Sequence, residues 1–127
     1  MMYTPQDIAG RIARVLSPDL LSPTWRRRTK PGDPPTTGHC YASAEAAWHL
    51  LGGVGSGWKP CVATYYEAGE RATHWWLQHR DGRVCDPTAS QYTERGLDPP
   101  YAAGRGKGFL TRRPSKRAAE IIRRVTA

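Results

Sequence analysis

Three side chains in this sequence have the types and order that thiol chemistry requires. Cys40 follows a glycine and a histidine in "GHCYASAEAAWHLLGG" (38–53), at the first turn of an alanine-rich helical pattern. A cysteine at a helix start faces unpaired backbone amides and the positive end of the helix dipole, which favour the nucleophilic thiolate. His74 lies within "ATHWWLQH" (72–79), and Asp86 opens the "DPT" of "RVCDPT" (83–88). A nucleophile needs a base, and the base needs a group that orients it, so a thiol, an imidazole and a carboxylate brought together suffice for acyl transfer. Taken alone, Cys40 also reads as a small buried core residue, because free cysteine is among the most buried residue types.

Whether His74 and Asp86 meet depends on the turn between their strands. If "DG" alone forms a two-residue loop, Leu77 pairs with Asp86, and Asp86 falls on the face opposite His74. If "RDG" forms a three-residue loop with Gly82 left-handed, His79 pairs with Arg83 and Trp76 with Asp86. His74 and Asp86 are then diagonal neighbours on one face. Both loops suit Gly82, and the sequence leaves the choice open.

The elements that must position these residues follow from patterning. A chain of 127 residues suits one domain, read here as an N-terminal helix and loop (1–39), the Cys40 helix with a β-meander (40–93), and a Gly/Pro loop with a basic C-terminal helix (94–127). "TPQDIAGRIARVL" (4–16) is an amphipathic helix with Thr4 as cap, Pro5 at the first position and Ile8, Ile12, Val15 and Leu16 on one stripe. "SPDLLSPTW" reads as a short helical turn, and "RRRTKPGDPPTTGH" (26–39) as a Pro/Gly-rich loop that delivers the chain to Cys40. The next helix, from about residue 41 to 51, stops at Gly52 and Gly53. "WKPCVATYY" (58–66), "ATHWWLQH" and "RVCDPT" form a three-stranded meander. A loop through "AAGRGKGF" and a helix in "PSKRAAEIIRRV" complete an α+β fold, with helices packed on a small antiparallel sheet.

Cys40, His74 and Asp86, in the order helix start, strand and next strand, resemble the arrangement of the transglutaminase-like and papain-like cysteine enzymes. The likeness covers roughly residues 38–88 and is carried by "GHCYASAEA" and "THWWLQHRDGRVCDPT". It implies a papain-like or transglutaminase-like core in which Cys40 attacks an amide or thioester carbonyl, His74 acts as base and then acid, and Asp86 holds the ring. The chain would then be a hydrolase or acyltransferase needing no cofactor or metal, on a peptide or small-molecule amide. Papain-like members take an oxyanion donor from a glutamine shortly before the cysteine. This loop has none, only Thr36, Thr37, His39 and the more distant Trp25. Trp25, His39, Trp75 and Trp76 are the candidate substrate-binding residues, one of the two adjacent tryptophans being core and the other a cleft wall.

Other constellations compete. Cys40, Cys61, His74 and Cys85 are zinc-ligand types, but no pair has the short spacing that nucleates such a site. "KPCVAT" lacks the second cysteine of a zinc deaminase. Three cysteines, an odd number, argue against a secreted disulfide framework, and Cys61 and Cys85 read as sheet residues. His49 and His79 read as polar-face or turn residues.

The net charge of +8 is concentrated: residues 105–124 hold eight Lys or Arg and one acid. Arg105, Lys107, Arg112, Arg113, Lys116 and Arg117 are candidates for contact with nucleic acid or an acidic protein, which would make the chain a non-enzymatic binding module. The alternative is a solvated basic face. Ala118, Ile121, Ile122 and Val125 give the last helix an apolar stripe with which to dock. No apolar run approaches a membrane span and no secretory signal is seen, so the expected location is cytoplasmic, without membrane contact.

Overall fold

Thr4 starts the first helix by a reciprocal cap. Its hydroxyl accepts from the Asp7 amide at 3.0 Å, and the Asp7 carboxylate accepts from the Thr4 amide at 3.1 Å, just ahead of Pro5. In the computed structural model, which describes residues 3–127, this helix, α1, spans Pro5–Val15 and buries Ile8 and Ile12, one turn apart. A 3-10 turn at Pro18–Leu20 leads to α2 (Pro23–Arg28). Arg26, Arg27 and Arg28, expected in a loop, are therefore helical. The Ser22 hydroxyl caps α2 by accepting from the Trp25 amide, and no proline intervenes until Pro31, so nothing stops the helix at Trp25.

The central helix α3 (Cys40–Leu50) is followed by β1 (Trp58–Glu67), β2 (Glu70–His79) and β3 (Val84–Cys85). After these come α4 (Ser90–Thr93), a 3-10 turn at Tyr101–Ala103, β4 (Arg105–Gly106) and α5 (Lys116–Thr126). The strands form one antiparallel sheet in the order β3-β2-β1-β4. The third strand is shorter than its sequence pattern, because Pro87 has no N–H to continue the ladder. The fourth strand was not expected: glycine-rich "AAGRGKGF" has little strand propensity. It is held by the free edge of β1, with Val62 opposite Arg105, Cys61 opposite Gly106, and the Lys107 amide donating to the Pro60 carbonyl at 3.1 Å.

Alternation along β2 divides the protein into two sides. Trp75 and Leu77 join Trp58 and Val62 against α1, α3 and α5, in a core that includes Ile8, Ile12, Ala44, Ala46, Ala47, Ala118, Ile121 and Val125. Small residues on α3 let it sit between its neighbours. The start of α5 is fixed from within this core: the buried Glu45 carboxylate accepts from the Ser115 amide at 2.8 Å and its hydroxyl at 2.7 Å, while that hydroxyl accepts from the Ala118 amide. At the other end, Arg124 donates to Glu120, Asp19 and the Val15 carbonyl. The C-terminal helix is thus part of the core, and its charge sits on a structural element. Among the described residues, no helix is long and apolar enough to cross a membrane.

Candidate functional site

The loop before Cys40 is pinned at both ends. Thr36 and Ser90 share a hydroxyl hydrogen bond of 2.7 Å, tying the loop to α4. Gly38, at φ +84°, passes so close to Leu21 and Trp25 that a Cβ would meet their side chains at 3.0 Å. The chain then turns through His39 and enters α3 at Cys40. Cys40 is only 6% exposed, and its thiol donates to the Thr73 carbonyl at 3.6 Å, beside His74.

His74 and Asp86 are brought together by the three-residue loop. The His79 amide donates to the Arg83 carbonyl at 2.8 Å, Gly82 has φ +96°, and Leu77 pairs with Cys85. This places Asp86 next to His74 with His74 Nε2 and Asp86 Oδ2 2.7 Å apart, both side chains almost wholly buried.

Every polar atom of this pair has a partner. Tyr101 donates its hydroxyl to the same Asp86 oxygen at 2.7 Å, and Asp86 Oδ1 accepts from the Thr88 amide at 3.1 Å and hydroxyl at 3.4 Å. The Gln91 side-chain amide donates to Thr88 Oγ1 at 3.1 Å and lies 3.3 Å from His74 Nδ1. Trp76 stacks on the imidazole at 5.6 Å and Tyr92 meets it edge-on at 4.8 Å.

The donor directions are mutually consistent for a neutral ring protonated on Nε2: Nε2–H donates to Asp86, and Nδ1 accepts from Gln91. Electrostatics pulls the other way. Burial acts to lower the His74 value, but hydrogen bonds and negative charge from Asp86 and Cys40 outweigh it and raise the ring from 6.5 to about 9. Once protonated, Nδ1 no longer accepts from Gln91 and its N–H needs an acceptor of its own.

The remaining expected site residues are distributed. Trp25 lines an open cleft of about 420 Å³ together with Thr37, Tyr65, Ala72 and Gln91. Two cations of that cleft are ion-paired, Arg28 with Glu70 and Arg95 with Glu67, each at 2.8 Å, and Arg27, Lys30 and Asp33 also line it. Trp76 is buried over His74 and lines a second cleft. Trp75, expected as a possible substrate wall, instead belongs to the core. It points to the helical side and packs on Tyr41 at 4.9 Å and Phe109 at 5.8 Å, as strand alternation requires. His39 is buried in the wall of a third cleft of about 210 Å³, with Leu21 and Pro35, and burial pushes it down to about 4.

Arg105, Lys107, Arg112, Arg113, Lys116 and Arg117 are all exposed. Cys61 is half-buried; Cys85 is buried, donates to the Pro5 carbonyl at 3.5 Å and is pushed up to about 12 by burial and the nearby Asp86 charge. Among the described residues, no three His, Cys, Asp or Glu side chains gather as metal ligands would.

Sequence reasoning missed Gln91, Tyr92 and Tyr101. No local motif marks them, since they reach His74 and Asp86 only through the path of the chain after the sheet. Thr88 was legible in principle: a threonine two residues after an aspartate is a common partner for its carboxylate. The chain matches no family model, no curated protein and no solved structure.

Proposed function

We propose that Cys40, His74 and Asp86 form a thiol acyl-transfer centre of the transglutaminase-like or papain-like kind, acting on an amide or thioester as a hydrolase or acyltransferase. The observation that carries the reading is a wholly buried histidine held at 2.7 Å by an aspartate, beside a cysteine at the start of an eleven-residue helix. Cys40 attacks the carbonyl carbon as a thiolate, and a thioester to Sγ forms as the leaving amine or thiol takes a proton from His74. Water or an amine then gives a proton to His74, attacks the thioester and releases the thiolate. Asp86 keeps the ring oriented and stabilises its charge; Tyr101 and Thr88 keep Asp86 in place. The Cys40 backbone amide is the oxyanion donor in this scheme. Substrate approaches through the cleft walled by Trp25, Tyr65 and Gln91. The free thiols suit a reducing compartment such as the cytoplasm.

The test is turnover of a panel of chromogenic thioesters and anilides by the native chain and by Cys40→Ala. Release of product that disappears in Cys40→Ala supports the centre. No turnover across the panel, together with a Cys40 that alkylates no faster than Cys61, overturns it.

A second reading is binding of nucleic acid or an acidic protein through the C-terminal segment. It is supported by Arg105, Lys107, Arg112, Arg113, Lys116 and Arg117, which are exposed and make no ion pair among the described residues. Salt-sensitive retention on heparin that is lost on changing Arg112, Arg113, Lys116 and Arg117 to glutamine would favour it.

A further inference from the structure

Two of the clefts differ in charge. The one beside Gln91 is lined by Asp33, Glu67 and Glu70 as well as by cations, and two of those cations, Arg28 and Arg95, are ion-paired. The second, about 450 Å³, is lined by Lys59 from β1, Arg80 from the hairpin loop and Arg105 from β4, with Gln78 and His79 between them. No Asp or Glu lines it, and among the described residues none of the three cations makes an ion pair. Trp76 closes its floor, and the buried indole Nε1 has no hydrogen-bond partner. An uncompensated cluster of cations over a concave surface focuses positive potential, and a volume of this size suits a small ligand.

We propose that this cleft binds a compact anion carrying two or more negative charges, of the phosphate class. Lys59, Arg80 and Arg105 come from three separate segments and converge only through the fold: Cys61 pairs with Trp76, which puts Lys59 on the Trp76 face of the sheet, and Arg105, next to Gly106 in the edge strand, lines the same cleft. The anion is small because the cations ring a cleft, whereas an extended polyanion would follow the open basic surface of residues 107–117. The site does not depend on thiol chemistry. It does adjoin it: Tyr101, in the same wall, donates to Asp86 at 2.7 Å.

The test is titration of the native chain with inorganic pyrophosphate at fixed ionic strength, read by calorimetry and by the Trp76 indole N–H resonance, assigned with Trp76→Phe. Saturable one-site binding that shifts the Trp76 resonance, and that weakens at least tenfold in Arg80→Gln and in Arg105→Gln but less than twofold in Arg112→Gln, is expected. All three variants are at exposed positions, so folding is not at stake. Citrate and a short single-stranded oligonucleotide serve as further arms. Pyrophosphate binding tighter than citrate supports the phosphate class. Absence of saturable binding, equal weakening in Arg112→Gln, or binding of the oligonucleotide alone overturns the proposal.

Discussion

His39 and His74 are both buried, at 4% and 0% exposure, yet they titrate in opposite directions. Burial takes His39 down to about 4, since it gains only a weak opposing effect from the Asp19 charge. His74 suffers the same desolvation, but Asp86 and Cys40 raise it to about 9. The difference teaches that burial silences an imidazole unless a charge partner is buried with it. The thiols repeat the lesson. Cys85 is as hidden as Cys40 and has no cation beside it, and burial together with the Asp86 charge pushes its thiol up to about 12; Cys40 has the His74 ring for a neighbour.

The strongest way to break this comparison is to remove the ring. His74→Gln should slow alkylation of Cys40 at pH 7 by about a hundredfold or more, the scale of a lost acid–base partner, while leaving Cys61 unchanged. Peptide mapping by mass spectrometry gives both rates. If Cys40 reacts as before, His74 has no hold on it.

Asp86→Asn should make His74 behave more like His39. With the carboxylate gone, only Cys40 opposes desolvation, and the His74 midpoint should fall well below about 9 in a histidine Cε1–H titration by NMR. A midpoint still near 9 would mean that Cys40 alone supports the charge.

The two histidines also predict the shape of stability against pH. His74 has a raised value, so its contribution is complete below about 6.5 and is lost as pH rises through about 9. His39 has a lowered value, so its neutral form favours folding above about 6.5, and that contribution is lost as pH falls toward about 4. Unfolding free energies from urea titrations should therefore peak near pH 6.5 and fall on both sides by a few kcal/mol, at about 1.4 kcal/mol per pH unit for one group. His39→Gln should flatten the acid limb alone. A maximum above pH 8 would contradict the assignment.

The smallest effect belongs to Tyr101. Its hydroxyl is one of several donors to Asp86, so Tyr101→Phe should cost about 1 kcal/mol and lower Cys40 reactivity less than tenfold. A loss as large as that of Asp86→Asn would make Tyr101 a principal support of the carboxylate.

Much of this was readable because local rules agreed with one another. Thr4, Pro5 and Asp7 mark a helix start unambiguously, and period-two runs of aromatic and branched residues mark β1 and β2. The hairpin register was reduced to two choices by Gly82 and decided by the fold, since only the three-residue loop lets Asp86 turn its carboxylate to His74. The strand at Arg105–Gly106 was invisible because β1, and not its own propensity, makes it a strand. Gln91 and Tyr101 were invisible for a related reason: they act at a distance in sequence, through chain path alone. Trp75 and Trp76 could not be sorted without knowing which face of β2 meets α3. The docking of α5 was readable from its apolar stripe, whereas the Arg124 contacts to Asp19 and the Val15 carbonyl join residues more than a hundred positions apart and were not.

The central claim is that Cys40 is reactive because of its neighbours. Exposure argues the reverse order, since Cys61 is half-buried and Cys40 only 6% exposed. The most direct measurement is therefore the site-resolved rate of iodoacetamide labelling of the native chain at pH 7. Cys40 modified well before Cys61, with Cys85 last, is the predicted result; Cys61 labelled first, or all three labelled slowly and alike, would contradict it.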